Sequence, residues 1–165
     1  MAGSSIRRER PRINKVTVEN LSSHALETAP LVRLSEGLLI RHAPGEDWRV
    51  TFLLTGDREI TRLNSKFMNS GEATDVLAFD TSDRFNPVRE GEVYISVDRA
   101  ADNAVIYKVT LEQELFRLVA HGLFHLFGYS DSTASGKEEM TRLEDEALAR
   151  FHPDAAYTHH GGKPS

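Results

Sequence analysis

Stretches rich in β-branched and aromatic residues recur along the first hundred residues, separated by polar and turn-forming residues. Four of these stretches predict β-strands, at residues 13–20, 48–54, 74–80 and 91–97. The segment 81–90 between the last two is polar and contains a proline, so it is predicted to be a surface loop.

Apolar residues at three- and four-residue spacing predict helices in other parts of the chain. Two helices lie among the strands, one at 30–43 that begins with a proline and one that begins near Asp57. Three more follow the last strand, at 98–108, 111–127 and 135–151. The last two of these begin with residues at the spacing of a capping box. The pairs are Thr110 with Gln113 and Ser135 with Glu138.

This order of elements, βαβαββ followed by helices, predicts a mixed α/β domain of the α+β class. About four strands are expected in one mixed sheet, with helices packed on it. A chain of 165 residues without a repeat or a linker fits a single domain. We place this domain at residues 13–152. Residues 1–12 are predicted to be a flexible basic arm, and residues 153–165 a disordered tail.

Composition narrows the class of protein. A hydrophobic fraction of 39% and a charged fraction of 27% are typical of soluble globular proteins, and no apolar run reaches the roughly 18 residues of a membrane span. The absence of cysteine excludes thiolate metal sites and, together with the absence of a secretory signal, predicts a cytoplasmic protein. A net charge of -5 argues against non-specific coating of nucleic acid, although the basic arm leaves local RNA contact as an alternative.

Two histidines four residues apart interrupt the apolar helix predicted at 111–127. His121 and His125 lie together at the edge of its apolar face, so both imidazoles can reach one ion. Zinc is the first choice for nitrogen ligands, and a catalytic zinc site needs a third protein ligand. Gly128 can end the helix in a left-handed conformation, and the reversed chain can then bring Asp131 back to the pair. The pattern predicts one zinc ion per chain, at the end of a central helix.

A plainer interpretation of the same residues stays open. The two histidines can be ordinary half-buried side chains that hydrogen-bond to the backbone or to Glu114, and Asp131 can cap a turn. Glu114 is also the nearest candidate for a general base, because Gly122 occupies the position where an H-E-x-x-H peptidase has its glutamate. The same glutamate can equally orient one of the histidines.

Three segments of the chain occur together in the order and spacing of a known family. They are LNSKFMNSGEATDVLAFD at 63–80, GEVYIS at 91–96 and HGLFHLFGYSD at 121–131. In these segments the chain resembles the YbeY family of bacterial rRNA maturation endoribonucleases. The resemblance implies a zinc-dependent endoribonuclease that acts on single-stranded RNA, at the 3′ end of small-subunit (16S) rRNA and in ribosome quality control. It also implies contact with the small ribosomal subunit or its proteins.

The chain departs from the family's pattern at positions that matter for function. Asp131 stands where the family usually has a third histidine, and Ser130 stands where an aspartate is common. Aspartate is a competent zinc ligand, so the site is altered rather than lost. Met68 stands where the family commonly has an arginine implicated in RNA cleavage, and Arg58 or Arg62 are only loose substitutes for it.

Two further polar residues, Asp75 and Asn64, are candidates of lower rank. Asp75 can cap the strand that it begins, or it can lie on the rim of the metal groove, as the resemblance implies. Asn64 lies on the second helix, where its side chain can bind the backbone of the following loop. The sequence does not favour either of the two interpretations of Asp75.

Three functions therefore compete. The leading one is a metal-dependent endoribonuclease, because a three-ligand zinc ion supplies both an activated water and an electrophile for a phosphoryl oxygen. The second is a non-nucleolytic ribosome assembly factor with a structural zinc site, an alternative that Met68 keeps open. The third is a metallohydrolase of another bond, such as a peptidase, and Gly122 counts against it.

Overall fold

Nine elements follow one another in the described part of the chain, in the order that the hydrophobic pattern predicts. The computed structural model describes residues 13–67 and 74–151. Its elements are β1 (Lys15–Asn20), α1 (Ala29–His42), β2 (Asp47–Thr55), α2 (Asp57–Phe67), β3 (Val76–Asp80), β4 (Val88–Ser96), α3 (Val97–Tyr107), α4 (Leu111–Leu126) and α5 (Ala134–Phe151). The predicted arm, the predicted tail and Met68 lie outside the described residues, so the domain boundaries stay a prediction.

The four strands form one mixed sheet in the order β1-β2-β4-β3. Strands β1, β2 and β4 run parallel, and β3 pairs antiparallel to β4 at the edge. Because side chains alternate between the two faces of a sheet, Val18, Phe52 and Val93 form one row across β1, β2 and β4. Phe52 and Val93 are fully buried, and this row marks the inner face. The predicted α+β fold with a mixed four-stranded sheet is confirmed.

Helix α4 is the central helix of the domain. It packs against α1, α3 and α5 and against the strands β3 and β4. The apolar face predicted for it is confirmed, since Leu115, Val119 and Leu123 are buried. Phe116, Ala120 and Phe124 are buried as well, because the neighbouring helices cover the sides of α4 that do not face the sheet. Among the described residues, no helix is both long and apolar enough to cross a membrane.

Helix α2 covers part of the opposite face of the sheet. Its residues Ile60 and Leu63 form a small separate core with Leu77 of β3, against which Phe79 and Tyr94 pack. Leu77 and Tyr94 are register partners, and they point away from the inner face because Tyr94 lies between the inward-pointing Val93 and Ile95. The histidines of α4 therefore lie on the side of the sheet away from α2.

The predicted start of the last strand differs most from the structure. Strand β4 begins at Val88 rather than at residue 91, because Val88 and Arg89 continue the parallel pairing with Asp47 and Trp48 of β2. That pairing is a long-range contact, which the polar sequence of this segment does not reveal.

The capping boxes had different outcomes. The box of Thr110 and Gln113 at the start of α4 is confirmed, with both reciprocal hydrogen bonds present. The box of Ser135 and Glu138 is wrong, because α5 begins earlier, at Ala134. There the Gly136 N–H donates to the Thr133 hydroxyl at 3.0 Å, so Thr133 takes the capping role.

Candidate metal centre

The glycine between the two histidines is required by the packing of α4 on the sheet. A Cβ atom placed on Gly122 would lie 2.5 Å from Cγ1 of Val93, in the middle of the inner face. A side chain at this position would require Val93 or the helix itself to shift. The packing thus disfavours a glutamate at the position where an H-E-x-x-H peptidase has one.

The end of α4 reverses the chain by a Schellman motif, as predicted from Gly128. Gly128 has φ +100°. Its N–H donates to the carbonyl of His125, and the next N–H, of Tyr129, donates to the carbonyl of Phe124, both at 3.0 Å. The rings of Phe124 and Tyr129 pack with their centroids 5.9 Å apart, which is the hydrophobic contact that accompanies this motif. The chain then returns along the helix and carries Asp131 to the histidines.

The structure brings His121, His125 and Asp131 together. The two Nε2 atoms are 2.9 Å apart, and they lie 3.4 Å and 3.7 Å from the carboxylate oxygens of Asp131. Two ligands about 2.0–2.1 Å from a tetrahedral zinc ion are separated by roughly 3.3 Å, so the spacing suits a single small ion. All three donor atoms lie within 4.8 Å of one another, and the three side chains are partly exposed. This group could therefore hold a metal ion.

A second carboxylate faces the other nitrogen of His121. Oε1 of Glu144, on α5, lies 3.6 Å from Nδ1 of His121. Glu114 was one candidate for such an orienting role in the sequence, whereas Glu144 was not predicted. The position of Glu144 in its helix does indicate a special role. The buried stripe of α5 consists of Met140, Leu143, Glu144, Ala147 and Leu148. A carboxylate on an apolar stripe requires a partner.

The carboxylates around His121 favour its protonated form when no metal is bound. Burial, the largest single influence, favours the neutral imidazole of His121, but the carboxylates of Asp131 and Glu144 outweigh it and raise the pKa of His121 to about 10. The hydrogen bond to that imidazolium holds the pKa of Asp131 down at about 2. Burial, and then the positive charge of His121, lowers the pKa of His125. At neutral pH a metal ion must therefore displace a proton from His121.

A cavity of about 920 Å³ opens beside His121 and Asp131. Asp75 and Glu114 both line it, and they are joined by the buried side chain of Asn103. Its Nδ2 lies 3.3 Å from Oδ2 of Asp75 and 3.5 Å from Oε1 of Glu114. Of the two interpretations of Asp75, the position on the rim of the cavity is the one that agrees with the structure. Two positively charged side chains of α5, those of Lys137 and Arg142, also line the cavity.

The remaining sequence candidates lie on α2 or beyond its end. Arg62 pairs with Glu59 of its own helix at 2.6 Å, and Arg58 is exposed. Neither arginine is among the described residues that line the cavity. Asn64 is buried on the same helix. Met68 lies outside the described residues.

Comparisons with known proteins agree with this fold. The family described as Endoribonuclease YbeY matches residues 6–152 of the chain. An Endoribonuclease YbeY of Cytophaga hutchinsonii is 37% identical over 61% of this chain and 69% of its own length. One from Thermus thermophilus is 35% identical over 73% of this chain and 88% of its own.

Among solved structures, the chain is similar to the solution structure of a protein from Thermotoga maritima. The two share 26% sequence identity, with a TM-score of 0.55, over 86% of this chain and 93% of the other. Together with the family match over residues 6–152, this similarity covers the sheet, the helices and the histidine pair. The chain therefore belongs to the YbeY family, and it is an enzyme of the metal-dependent endoribonuclease class.

Proposed function

We propose that this protein hydrolyses single-stranded RNA with one zinc ion, bound by His121, His125 and Asp131. The observation that carries the proposal is the convergence of the three donor atoms within 4.8 Å, beside an open cavity of about 920 Å³. The family match supplies RNA as the class of substrate.

The donor set supports zinc and a catalytic rather than a structural site. Two imidazoles and one carboxylate are common zinc ligands, and a catalytic zinc keeps a fourth position open, whereas a structural one is closed by four protein ligands. The described residues supply three ligands to this group. When bound, the ion supplies an activated water and electrophilic assistance to a phosphoryl oxygen. The non-nucleolytic assembly factor with a structural zinc is therefore the less favoured alternative.

The residues of the cavity wall have separate roles in this proposal. Glu114 and Asp75, held together by Asn103, are carboxylates that can accept a proton from water or from the substrate. Lys137 and Arg142 of α5 line the same cavity, where they can pair with phosphates of the RNA. The peptidase alternative has no support, since Gly122 leaves no space for a glutamate beside His121.

Cleavage of RNA by the purified protein tests this function. The zinc-loaded protein should cleave an end-labelled single-stranded RNA and leave the same RNA uncut when it is annealed to its complement. The His121→Ala variant, prepared identically, should be at least about 100-fold slower, because loss of even an outer partner of a metal ligand costs about 10- to 100-fold. Equal rates in both preparations would identify a contaminating ribonuclease and contradict the proposal.

A narrower assignment follows from the three segments that resemble the family. We propose that the substrate is the 3′ end of small-subunit rRNA, matured in the cytoplasm in contact with the small subunit or its proteins. Cells depleted of the protein should then accumulate precursor with an unprocessed 3′ end. Mature ends that are unchanged under depletion, at normal temperature and under heat stress, would exclude this substrate while leaving the nuclease activity open.

The role of Asp131 can be separated from that of a turn cap. If its carboxylate is the third ligand, Asp131→Ala should weaken zinc binding more than tenfold, which is more than about 1.4 kcal/mol. Asp131→His should restore binding, because imidazole is an accepted zinc ligand. Both are measured by titration against a competing chelator. Equal affinities in all three proteins, with a lower melting temperature for the alanine variant, would indicate a cap worth about 1 kcal/mol instead.

A further inference from the structure

Glu144 occupies a position where an unpaired carboxylate would be strongly unfavourable. It lies on the buried stripe of α5, and only 9% of its side chain is exposed. An ionised carboxylate in such a place needs charged or hydrogen-bonding partners. The structure provides two of them, and both come from α4.

The first partner is a buried arginine. Nη1 of Arg117, one turn before His121 on α4, lies 3.9 Å from Oε1 of Glu144. The guanidinium also binds Asp145, with Nη2 2.6 Å from Oδ1. Arg117 is itself only 4% exposed, so its position is determined by packing. It therefore holds the negative charge of Glu144 between α4 and α5.

The second partner is His121. The same Oε1 atom of Glu144 lies 3.6 Å from Nδ1 of the imidazole, whereas Nε2 faces His125 at 2.9 Å and Asp131 at 3.4 Å. A neutral imidazole carries its hydrogen on one nitrogen and a lone pair on the other. A carboxylate beside Nδ1 keeps the hydrogen there, and this leaves the lone pair on Nε2.

We propose that Glu144 is a positioning residue of the metal centre, which accepts the Nδ1–H of His121 and so presents the Nε2 lone pair to the metal ion. Arg117 keeps Glu144 in place. Helix α5 would thus contribute to the site without supplying a ligand. The inference rests on the metal site of the proposed function, although not on the identity of the RNA substrate.

Zinc affinity of the Glu144→Gln variant tests this role. The change removes the negative charge and keeps the shape, so we expect zinc affinity, measured against a competing chelator, to fall about 10- to 100-fold. Glu139→Gln is the matched control, because Glu139 is an exposed residue of the same helix. The control variant should bind zinc as the unchanged protein does.

The tautomer of His121 provides a readout that needs no variant. In the zinc-loaded protein, nitrogen-15 NMR should show hydrogen on Nδ1 and metal coordination through Nε2. Coordination through Nδ1 would overturn the inference. So would full zinc affinity in Glu144→Gln, whether or not its melting temperature falls, since that result leaves Glu144 at most a structural role. Failure of the unchanged protein to bind zinc would overturn the proposed function as well, so the two failures are distinguishable.

Discussion

Replacing His121 and His125 together by alanine is expected to lower the zinc content from one ion per chain to near zero. The two imidazoles supply two of the three donor atoms, which lie within 4.8 Å of one another, and a single remaining carboxylate does not define a zinc site. Cleavage of single-stranded RNA should fall below detection in the same variant. Zinc is measured by mass spectrometry after dialysis, and cleavage is measured with an end-labelled RNA.

The fold should survive this double replacement. Both histidines are only partly buried, and Glu144 keeps Arg117 as a charged partner when His121 is removed. A matched control is His24→Ala, since His24 lies before α1 and outside the group that could hold a metal. Undiminished zinc in the double variant, or an equal loss of zinc in the control, would contradict the assignment.

Gly122→Ala is expected to destabilise the protein although alanine is the better helix former. The new Cβ atom would lie 2.5 Å from Cγ1 of Val93, which is fully buried. Overpacking of this kind costs about 1–3 kcal/mol, against a gain of up to roughly 1 kcal/mol in helix propensity. We expect a net loss of about 1–2 kcal/mol in the free energy of unfolding, measured by urea denaturation. Gly122→Glu, which introduces the peptidase residue, should prevent folding.

A second substitution tests whether the contact with Val93 is the cause. Val93→Ala removes the methyl group that the new Cβ atom would meet. The double variant Gly122→Ala, Val93→Ala should therefore be less destabilised than the sum of the two single variants, with a coupling of about 0.5–3 kcal/mol. Strict additivity would mean that the close approach of α4 to β4 is not what requires the glycine.

The parts of the fold that the sequence predicts are those that local signals determine. Alternating and helical spacing, the capping box at Thr110 and the helix end at Gly128 each act over a few residues, and each is found in the structure. The start of β4 at Val88 depends on pairing with Asp47 of β2. No local pattern encodes that pairing, and the polar residues and the proline of this segment instead predict a loop.

The residues of the candidate site also differ in whether the local sequence predicts their position. His121, His125 and Asp131 lie within one helix and the turn after it, so their convergence can be predicted from spacing and from Gly128. Glu144 reaches His121 from α5, and Asn103 links Asp75 to Glu114 from α3. These contacts join residues far apart in the chain, and only the packing of the helices reveals them.

Titration of zinc into the metal-free protein, with cleavage of single-stranded RNA followed at every point, tests most directly whether these three side chains hold the ion that the enzyme uses. Bound zinc and cleavage rate should rise together and level off at one equivalent per chain. In the Asp131→Ala variant both rises should require zinc concentrations more than about tenfold higher. Full cleavage by metal-free protein, or a rise in zinc without a rise in cleavage, would contradict the account.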